Sequence, residues 1–441
     1  MATAQCWDRI AGLVRARLED DRRIVVVCSA LAGVTDELQV LADGAGDPAV
    51  RLERILAQHE ALAGELGIDA GATLDEGRKG IGRALDRLAD SRQPAAVAEL
   101  LAWGEWLSTR LGHACLARSL DVAWVDAREA LCVLPESNPD SRRAWLSARC
   151  DGLPDAGLAE RWAAGPPVLL TQGFVARAPD GRTALLGRGG SDTSAALLAA
   201  RLGADCVEIW TDVPGLFSAD PRIEPAARLI PELDYAEALE LAASGARVVH
   251  PRCIRVASEA GISVSIRDLG DPHARGTRIS ETGEGEAGIK AVARIDGMLV
   301  LLLENLDTRQ QVGFLAWVFE VISARGVSVD LVATSETTTT VAIDQRANLL
   351  DADGIEDMVE RLGARCNVRQ YPDCSCVNLV GRGARTALAR MGPAAAVFDE
   401  VPLLMLSQSA NDLSISMLVP AAHAERLCRA LHGALIRSAA G

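Results

Sequence analysis

The chain has 441 residues, of which 49% are apolar and 24% are charged, a balance that excludes a disordered or fibrous protein. Its 60 acidic and 45 basic residues give a formal net charge of −15, which argues against nonspecific binding to nucleic acid or anionic membrane as the main role. At roughly 150 residues per domain, two or three domains are expected. Only Lys79 and Lys290 are lysines, so phosphate binding would depend on arginines and backbone amides.

The cysteines and the apolar segments predict a cytoplasmic protein. The 11 cysteines are scattered, and the one tight pair, Cys374 and Cys376, has no companion pair at the spacing of a zinc site. We therefore expect reduced thiols and no resident metal. The first ten residues contain no signal-like apolar stretch, and no apolar run approaches the roughly 20 residues of a membrane-spanning helix.

The first part of the chain alternates helices with short strands. Apolar spacing predicts a helix over 5–20, and IVVVCSA at 24–30 is typical of a buried strand followed by a turn. A helical region is predicted over 49–119, with an interruption at the glycine-rich residues 64–82. Further strands are predicted at 121–127 and 167–176.

The later elements predict an α/β sandwich followed by smaller α+β units. From 184, a strand runs into a glycine turn and an Ala/Leu-rich helix, another strand begins at 207, and helices near 234–245 and after VVHP precede a strand at 262–268. The polar, glycine-rich stretch 270–288 is the predicted domain boundary. Beyond it, two βαββ-type units follow each other, an architecture common in sensor domains.

The strongest local motif is GRGGSD at 187–192. Its three glycines permit positive φ and close backbone approach, so that amides at the start of a helix can face an anion. Arg188 adds a fork for a carboxylate or phosphate, and Asp192 could orient a cation. The alternative is a plain glycine turn in which Ser191 or Asp192 caps the helix.

Two other segments place polar groups at the ends of predicted strands, where open α/β sheets bind ligands. Thr211 and Asp212 begin TDVPGLFSADPR, in which Arg222 could reach a polyphosphate, although a structural loop is the alternative. Ser29 and Thr35 lie in CSALAGVT, after the first strand.

Two single residues remain ambiguous at this point. Glu105, in WGEWLSTRL, could hold an ammonium group, but on an isolated helix a solvated face is the favoured interpretation. His250, which precedes a proline, is expected to be a hydrogen-bonded structural residue rather than a base.

In this order, the segments resemble those of the aspartate kinases of the amino acid kinase family. The resemblance covers nearly the whole chain and rests on VVVCSALAGVTDEL, GEWLSTRL, VDARE, TQGF, GRGGSDTSAALLA, IWTDVPGLFSADPR, SGARVVHPR, RIDGMLVLLLEN, VGFLAWVFE and GVSVDLVATSE. It implies a three-layer αβα sandwich over 1–284 and two intertwined, ferredoxin-like ACT units over 285–441. One unit would comprise about 305–375, and the other 285–304 with 376–441.

The resemblance also implies an activity and its residues. ATP, as its magnesium complex and without a prosthetic group, would phosphorylate the β-carboxylate of L-aspartate to 4-phospho-L-aspartate, the first step toward lysine, threonine and methionine. Glu105 would pair with the substrate ammonium and Arg188 with its α-carboxylate. The implied substrate contacts are Ser29, Ala30, Thr35, Glu105, Phe174, Arg188, Gly190 and Ser191. The implied nucleotide contacts are Thr211, Asp212, Phe217, Arg222 and Arg247, and the catalytic group is Arg188, Asp192 and Arg247.

The sequence departs from the family pattern in three places. Relatives open with a strand ending in Lys-Phe-Gly-Gly, whose lysine contacts the transferring phosphoryl group, and this motif is not in the sequence. Without that strand we expect weak or no kinase activity from the 441-residue chain, and activity from a version extended upstream. Arg247 replaces the usual lysine and Phe217 a common tyrosine, and both changes should be tolerated.

The C-terminal half is expected to sense an amino acid such as lysine or threonine. In lysine-sensitive relatives, the effector binds where ACT units meet across a dimer, which implies a homodimer here. The corresponding positions are Phe314, Leu315, Ser328, Val329, Asp330, Ser335 and Glu336. Asp330 and Glu336 would meet the amino groups of the effector. The alternative is that these units only hold a dimer together.

Three functions stay open on the sequence alone. The first is the aspartate kinase, and the second is a catalytically impaired or regulatory subunit, suggested by the absent Lys-Phe-Gly-Gly motif and by Arg247. The third is a kinase for another amino acid. Glu105 argues against acylated substrates, because acylation removes the ammonium that this carboxylate would hold.

Overall fold

The computed structural model describes residues 3–91, 93–246, 248–283, 288–304, 312–348 and 350–436. The chain divides into two compact units, the first formed by Met1–Gly215 and Val248–Thr282, the second by Leu216–Arg247 and Gly283–Gly441. Leu216–Arg247 therefore belongs to the same unit as the C-terminal part, although it lies inside the range predicted for the N-terminal domain. The predicted domain boundaries stay a prediction. Across the described residues, no helix has the length and apolar character that crossing a membrane would need.

The described elements follow the predicted alternation. The helices are α1 (Ala4–Glu19), α2 (Val34–Ala42), α3 (Pro48–Leu66), α4 (Gly71–Asp90), α5 (Pro94–Leu116), α6 (Arg142–Leu146), α7 (Ala156–Ala163), α8 (Gly190–Leu202), α9 (Tyr235–Ala243), α10 (Pro251–Ala260), α11 (Phe314–Ser323), α12 (Ala352–Gly363), α13 (Arg385–Arg390) and α14 (Ala421–Leu435). The strands are β1 (Ile24–Cys28), β2 (Val122–Trp124), β3 (Val168–Gln172), β4 (Val175–Arg177), β5 (Thr183–Leu185), β6 (Cys206–Thr211), β7 (Glu232–Asp234), β8 (Ser263–Asp268), β9 (Thr277–Ser280), β10 (Ala291–Glu304), β11 (Leu331–Thr334), β12 (Thr338–Asp344), β13 (Asn367–Val380), β14 (Met405–Gln408) and β15 (Ser414–Pro420).

A parallel sheet with helices on both faces forms the first unit. Its strands run in the order β1-β3-β2, and β1 pairs with β3 in parallel from Ile24 opposite Val168 onward. On one face, Leu170 joins the core built with helices α1 to α5. On the other face, Leu169 and Val25 pack with α7 and α8. This arrangement confirms the predicted αβα sandwich.

Three shorter pairings complete the strands of the first unit. The predicted strand at 167–176 is divided into β3 and β4, and β4 pairs with β5 in antiparallel orientation. Strand β6 pairs with β8 in parallel, and β8 pairs with β9 in antiparallel orientation. The polar stretch predicted as a boundary therefore contains a strand, β9.

The predicted interruption of the helical region at 64–82 is confirmed only over 67–70, between α3 and α4, because α4 runs without a break through Gly77, Gly80 and Gly82. A Cβ atom on Gly77 would lie 2.5 Å from Leu107 Cδ2, and one on Gly80 would lie 1.9 Å from Trp103 Cζ2. Both contacts are with side chains of α5. These glycines let two helices approach closely, and the packing outweighs the low helix propensity of glycine.

The second unit is built on an antiparallel sheet in the order β11-β12-β10-β13-β15-β14. Strands β10 and β13 have 14 residues each and run through both halves of the sheet. Their pairing shifts register around Gly297, whose φ is +79°, so each strand carries a bulge there. The extra residue reverses the alternation of β10, which places Val292 and Leu299 on the same face. That face carries α14 over one half and α11 with α12 over the other.

The segment Leu216–Arg247 is joined to this sheet by buried polar contacts. Glu237, which is 1% exposed, forms an ion pair with Lys290 at 2.6 Å just before β10 begins. Ser218 and His432 of α14, both buried, are joined by a hydrogen bond of 2.9 Å between Oγ and Nε2. The N–H of Val292 donates to the carbonyl of Ser218 at 2.8 Å.

Candidate active site

A buried carboxyl group lies in the middle of α5. Glu105 is 3% exposed and accepts a hydrogen bond from the backbone N–H of Ala30, just beyond the end of β1. No described residue gives its Oε2 a hydrogen-bond partner. Burial raises the pKa of Glu105 to about 8. The sequence-based interpretation of Glu105 as part of a solvated face is therefore wrong, and the buried oxygen is placed to receive a cation.

The motif GRGGSD forms a tight turn between β5 and α8. Gly187 and Gly189 have φ values of +75° and +63°, in the left-handed region that glycine enters readily. A Cβ atom on Gly187 would lie 2.8 Å from Ser147 Oγ, and one on Gly189 would lie 2.2 Å from His250 Cβ. Helix α8 begins directly afterwards at Gly190, so its first N–H groups and the backbone of the turn lie at one place.

The glycine turn and the end of β1 meet through two serines. The hydroxyl of Ser29 donates to Ser191 Oγ at 2.8 Å, and Ser108 donates to the carbonyl of Ser29 at 2.7 Å. Ser108 lies in α5, three residues after Glu105. The residues Ser29, Ala30, Glu105 and Ser191, predicted from separate motifs, therefore form one group.

Phe174 closes this group on the side of β4. It has a φ of +69°, and its backbone N–H donates to Ser194 Oγ in α8 at 2.9 Å. A Cβ atom on Gly190 would lie 2.5 Å from Phe174 Cδ2, and one on Gly173 would lie 2.7 Å from Ser191. A left-handed conformation in a bulky residue is unfavourable by ~1–2 kcal/mol. Its presence marks a backbone that is held tightly against the turn.

Arg188 and Asp192 stand at the two ends of the turn. Asp192 Oδ2 accepts the backbone N–H of His250 at 3.4 Å, and burial raises the pKa of Asp192. Burial, followed by the charges of Arg252 and Arg188, lowers the pKa of His250, which places the exposed Arg188 near the same histidine. His250 itself caps α10, and its Nδ1 accepts the N–H of Arg252 at 3.2 Å.

The remaining predicted substrate and nucleotide residues are not joined to this group by a hydrogen bond that the described residues form. Thr35 lies in the first turn of α2, and Thr211 at the end of β6 donates to Asp212 Oδ1 at 3.1 Å. Phe217 and Arg222 belong to the second unit, where Phe217 bridges to Leu229 and Arg222 pairs with Asp220 at 2.7 Å. Arg247 lies outside the described residues.

The predicted effector residues lie at two places in the second unit. Phe314 and Leu315 begin α11, where Phe314 with Val312, Gly313 and Arg365 lines an open cavity of about 430 Å³. The other predicted residues flank β11. Ser328 and Asp330 precede it, and Asp330 Oδ2 accepts the N–H of Asp344 at 2.6 Å. Val329 packs with the core of this half, and Ser335 and Glu336 connect β11 to β12.

Sequence reasoning missed several residues that shape the site. These are Ser108, Gly173, Ser194 and Arg252, which touch the glycine turn, Phe174 or Ser29. His250 is not among them, because its prediction as a hydrogen-bonded structural residue is confirmed by its cap on α10. Ser108 falls one helical turn from Glu105, and that spacing was a usable signal. The contacts of His250 and Arg252 join residues far apart in the sequence, so no local pattern predicts these contacts.

The group can hold a small molecule that carries both charges. A buried carboxyl with a free oxygen suits an ammonium, while an exposed guanidinium and a glycine turn at a helix start suit carboxylate or phosphate. Since the two regions meet through Ser29 and Ser191, both charges could be bound at once.

Comparisons with known proteins agree with this chemistry. A model of the amino acid kinase family matches residues 1–268. The chain is 32% identical to lysine-sensitive aspartokinase 3 of Escherichia coli (strain K12), over 99% of this chain and 97% of that protein. It is 30% identical to the chloroplastic aspartokinase 1 of Arabidopsis thaliana, over 99% of this chain and 79% of that protein.

Solved structures give the same result. The crystal structure of E. coli aspartokinase III with aspartate and ADP (R-state) matches with a TM-score of 0.83 and 30% identity, over 99% of this chain and 97% of that one. The structure of the E. coli enzyme with lysine and aspartate (T-state) matches with a TM-score of 0.74 and 31% identity, over 97% and 96% of the two chains.

Proposed function

This chain belongs to the aspartokinases of the amino acid kinase family, and we propose that it phosphorylates the β-carboxylate of L-aspartate with ATP. The products are 4-phospho-L-aspartate and ADP. Similarity over the whole chain favours this activity over a purely regulatory subunit or a kinase for another amino acid. The conclusion depends above all on one observation, the buried Glu105 with an oxygen that no described residue binds.

Aspartate fits the charges of the site. The free oxygen of Glu105 would bind the α-ammonium, and Arg188 would bind the α-carboxylate through its fork. Ser191 and Gly190, at the start of α8, would then face the side-chain carboxylate. Burial strengthens the contact of Glu105 with the ammonium, because the effective dielectric there is low.

The transfer itself requires positioning more than covalent chemistry from the protein. A β-carboxylate oxygen attacks the γ-phosphorus in line, the bond from that phosphorus to the β–γ bridging oxygen breaks, and ADP leaves. ATP would enter as its magnesium complex, and the backbone N–H groups of the glycine turn would stabilise the migrating group. Asp192 would orient the reactants, and Thr211, Asp212, Phe217, Arg222 and Arg247 would contact the nucleotide.

Regulation by an amino acid is the second part of the proposal. The E. coli relative has been solved with lysine, and the same class of effector would bind here at the start of α11 and around β11. Asp330 and Glu336 would meet the amino groups of the effector. The α+β units would pair two chains into a homodimer, which would complete the effector sites. The product would feed the synthesis of lysine, threonine and methionine.

The test is ADP release measured with a panel of amino acids. We expect turnover with L-aspartate at least 100-fold above that with glutamate, N-acetylglutamate or N-acetylaspartate. Hydroxylamine trapping should detect the acyl phosphate in the aspartate reaction alone. Added lysine should lower the rate if the effector proposal holds.

Two variants connect the activity to the site. Glu105→Gln and Arg188→Gln should each raise KM for aspartate at least tenfold, with a smaller effect on KM for ATP. Arg78→Gln, which removes an exposed guanidinium paired with Glu53 on α3, is the matched control and should be unaffected. Robust turnover of a different amino acid, or unchanged aspartate kinetics in Glu105→Gln, would overturn the assignment.

A further inference from the structure

Arg252 connects two backbone segments that flank the glycine turn. It is the second residue of α10, and its Nη1 donates to the carbonyl of Leu186 at 2.5 Å, directly before Gly187. Its Nη2 donates to the carbonyl of Ala148 at 2.6 Å. Ala148 follows Ser147, the residue against which Gly187 packs. One guanidinium therefore ties the turn to the segment that supports it from the other side.

The turn needs such a tie because its own backbone is permissive. Two glycines with positive φ lose more conformational entropy on ordering than other residues would. Other contacts that hold it include the bond from the N–H of Leu186 to Phe174 O at 2.8 Å, that from Thr193 Oγ1 to Gly189 O at 2.9 Å and the bond between Ser29 and Ser191. Arg252 supplies the side-chain donor for the carbonyl at the entrance of the turn.

Electrostatics opposes a cation at this position. Burial has the largest effect and lowers the pKa of Arg252. Cys150 acts in the opposite direction, and the nearby charges of Arg143, Arg149 and Arg255 each lower the pKa by less. The first turn of a helix also disfavours positive charge. A guanidinium present against these effects is explained by its shape, since its planar fork reaches the two carbonyl oxygens from two separate nitrogens, whereas a lysine has a single nitrogen for both.

We propose that Arg252 is a positioning residue of the aspartate site, which fixes the Gly187–Ser191 turn through the carbonyls of Leu186 and Ala148. This inference rests on the proposed function, because Arg188, Gly190 and Ser191 are the groups it holds in place. Arg252 acts through the turn and does not touch the substrate. Its loss should weaken aspartate binding and phosphoryl transfer while affecting ATP binding less.

The experiment compares Arg252→Lys and Arg252→Gln with Arg255→Gln. Arg255 is an exposed cation one turn later on the same helix, so its variant removes the same charge without touching the turn. In both Arg252 variants we expect KM for aspartate to rise at least fivefold and kcat to fall at least tenfold, with KM for ATP changed less than twofold. Arg255→Gln should match the wild type in all three.

A second measurement does not depend on turnover. Hydrogen–deuterium exchange of the peptide spanning residues 186–192 should be at least fivefold faster in Arg252→Lys and unchanged in Arg255→Gln, with melting temperatures of the folded variants recorded alongside. If the wild type shows no aspartate kinase activity but exchange is still faster in Arg252→Lys, the proposed function is overturned. The contact between Arg252 and the turn would still be supported. Wild-type kinetics and exchange in Arg252→Lys and Arg252→Gln would overturn the inference. Equal changes in KM for aspartate and ATP would also overturn it, because they would indicate general destabilisation.

Discussion

Ser29 and Ser191 lie 162 positions apart in the sequence, yet their hydroxyl groups form a hydrogen bond of 2.8 Å. Ser29 follows the strand β1, and Ser191 is the second residue of the helix α8. The bond joins the region of the buried Glu105 carboxyl to the glycine turn. These two regions are proposed to bind opposite charges of one substrate. The distance between the two serines therefore determines whether the ammonium and the carboxylate of that substrate can be bound at the same time.

The serine pair leads to the first prediction. Ser191→Ala and Ser29→Ala should each lower kcat/KM for aspartate by about fivefold, since a lost hydrogen bond of this kind is worth roughly 1 kcal/mol. The double variant should cost little more than either single one, because both remove the same bond. Steady-state kinetics on the three variants, with the exposed Ser323→Ala as control, checks this. Strictly additive losses would show that the two hydroxyls act independently.

Glu105 makes the affinity for aspartate dependent on pH. With a pKa raised to about 8 by burial, the carboxyl is neutral in the empty site at pH 7 and must ionise to hold an ammonium. We therefore expect kcat/KM for aspartate to rise about tenfold per pH unit from pH 6 and to level off near pH 8. Glu105→Gln should be slow and show no such rise. A flat wild-type profile would contradict the proposed role.

The same carboxyl should also lower the stability of the fold at alkaline pH. Its pKa in the folded chain lies above the ordinary value of 4.5, so the protonated form favours the folded state. This contribution is complete below about pH 4.5 and is lost as the pH rises through 8. At pH 8.5, the free energy of unfolding of Glu105→Gln, measured with denaturant, should therefore exceed that of the wild type by on the order of 2 kcal/mol. At pH 5.5 the difference should be smaller.

The glycine turn gives a prediction with a matched control. Gly189→Ala places a methyl group 2.2 Å from His250 Cβ at a φ of +63°, so both backbone and packing are disturbed. We expect a loss of activity of at least 100-fold. Gly181→Ala has a comparable φ of +88° but open space around the added atom, and should cost only ~1 kcal/mol of stability with kinetics unchanged. Similar kinetics for the two variants would show that the close approach to His250 is unimportant.

The buried ion pair in the second unit should contribute strongly to stability. Lys290→Met leaves Glu237, only 1% exposed, without its cation, and should cost ~3–5 kcal/mol in urea unfolding. Adding Glu237→Gln should recover much of that loss, because the uncompensated charge is removed. The exposed pair of Arg78 and Glu53 is the comparison, and Arg78→Gln should cost less than ~1 kcal/mol. Equal losses at the two sites would contradict the importance of burial.

Local patterns predicted much of the fold. The alternation of apolar residues placed α1 and β1 within a few residues of their observed bounds, and GRGGSD correctly indicated a strand, a turn and a helix. These features depend on neighbours in the sequence. The interruption predicted in α4 was wrong because Gly77 and Gly80 allow close packing against α5 instead of breaking the helix. No local pattern reveals that contact.

The site could be predicted only in part, for the same reason: contacts between distant segments leave no local pattern. The motifs identified Ser29, Glu105 and Ser191, but the burial of Glu105 depends on how α5 packs against β1. The roles of His250 and Arg252 arise from contacts with a turn some 60 positions earlier. The attachment of Leu216–Arg247 to the second unit is likewise a product of packing and could not be predicted from composition.

One extra residue in β10 places the helices of both halves of the second sheet on the same face. If β10 ran as a regular strand through Gly297, Val292 and Leu299 would fall on opposite faces, and the leucines of one half would leave the face that carries the helices. The second unit, in which two similar halves share the long strands β10 and β13, thus depends on one extra residue where the halves meet.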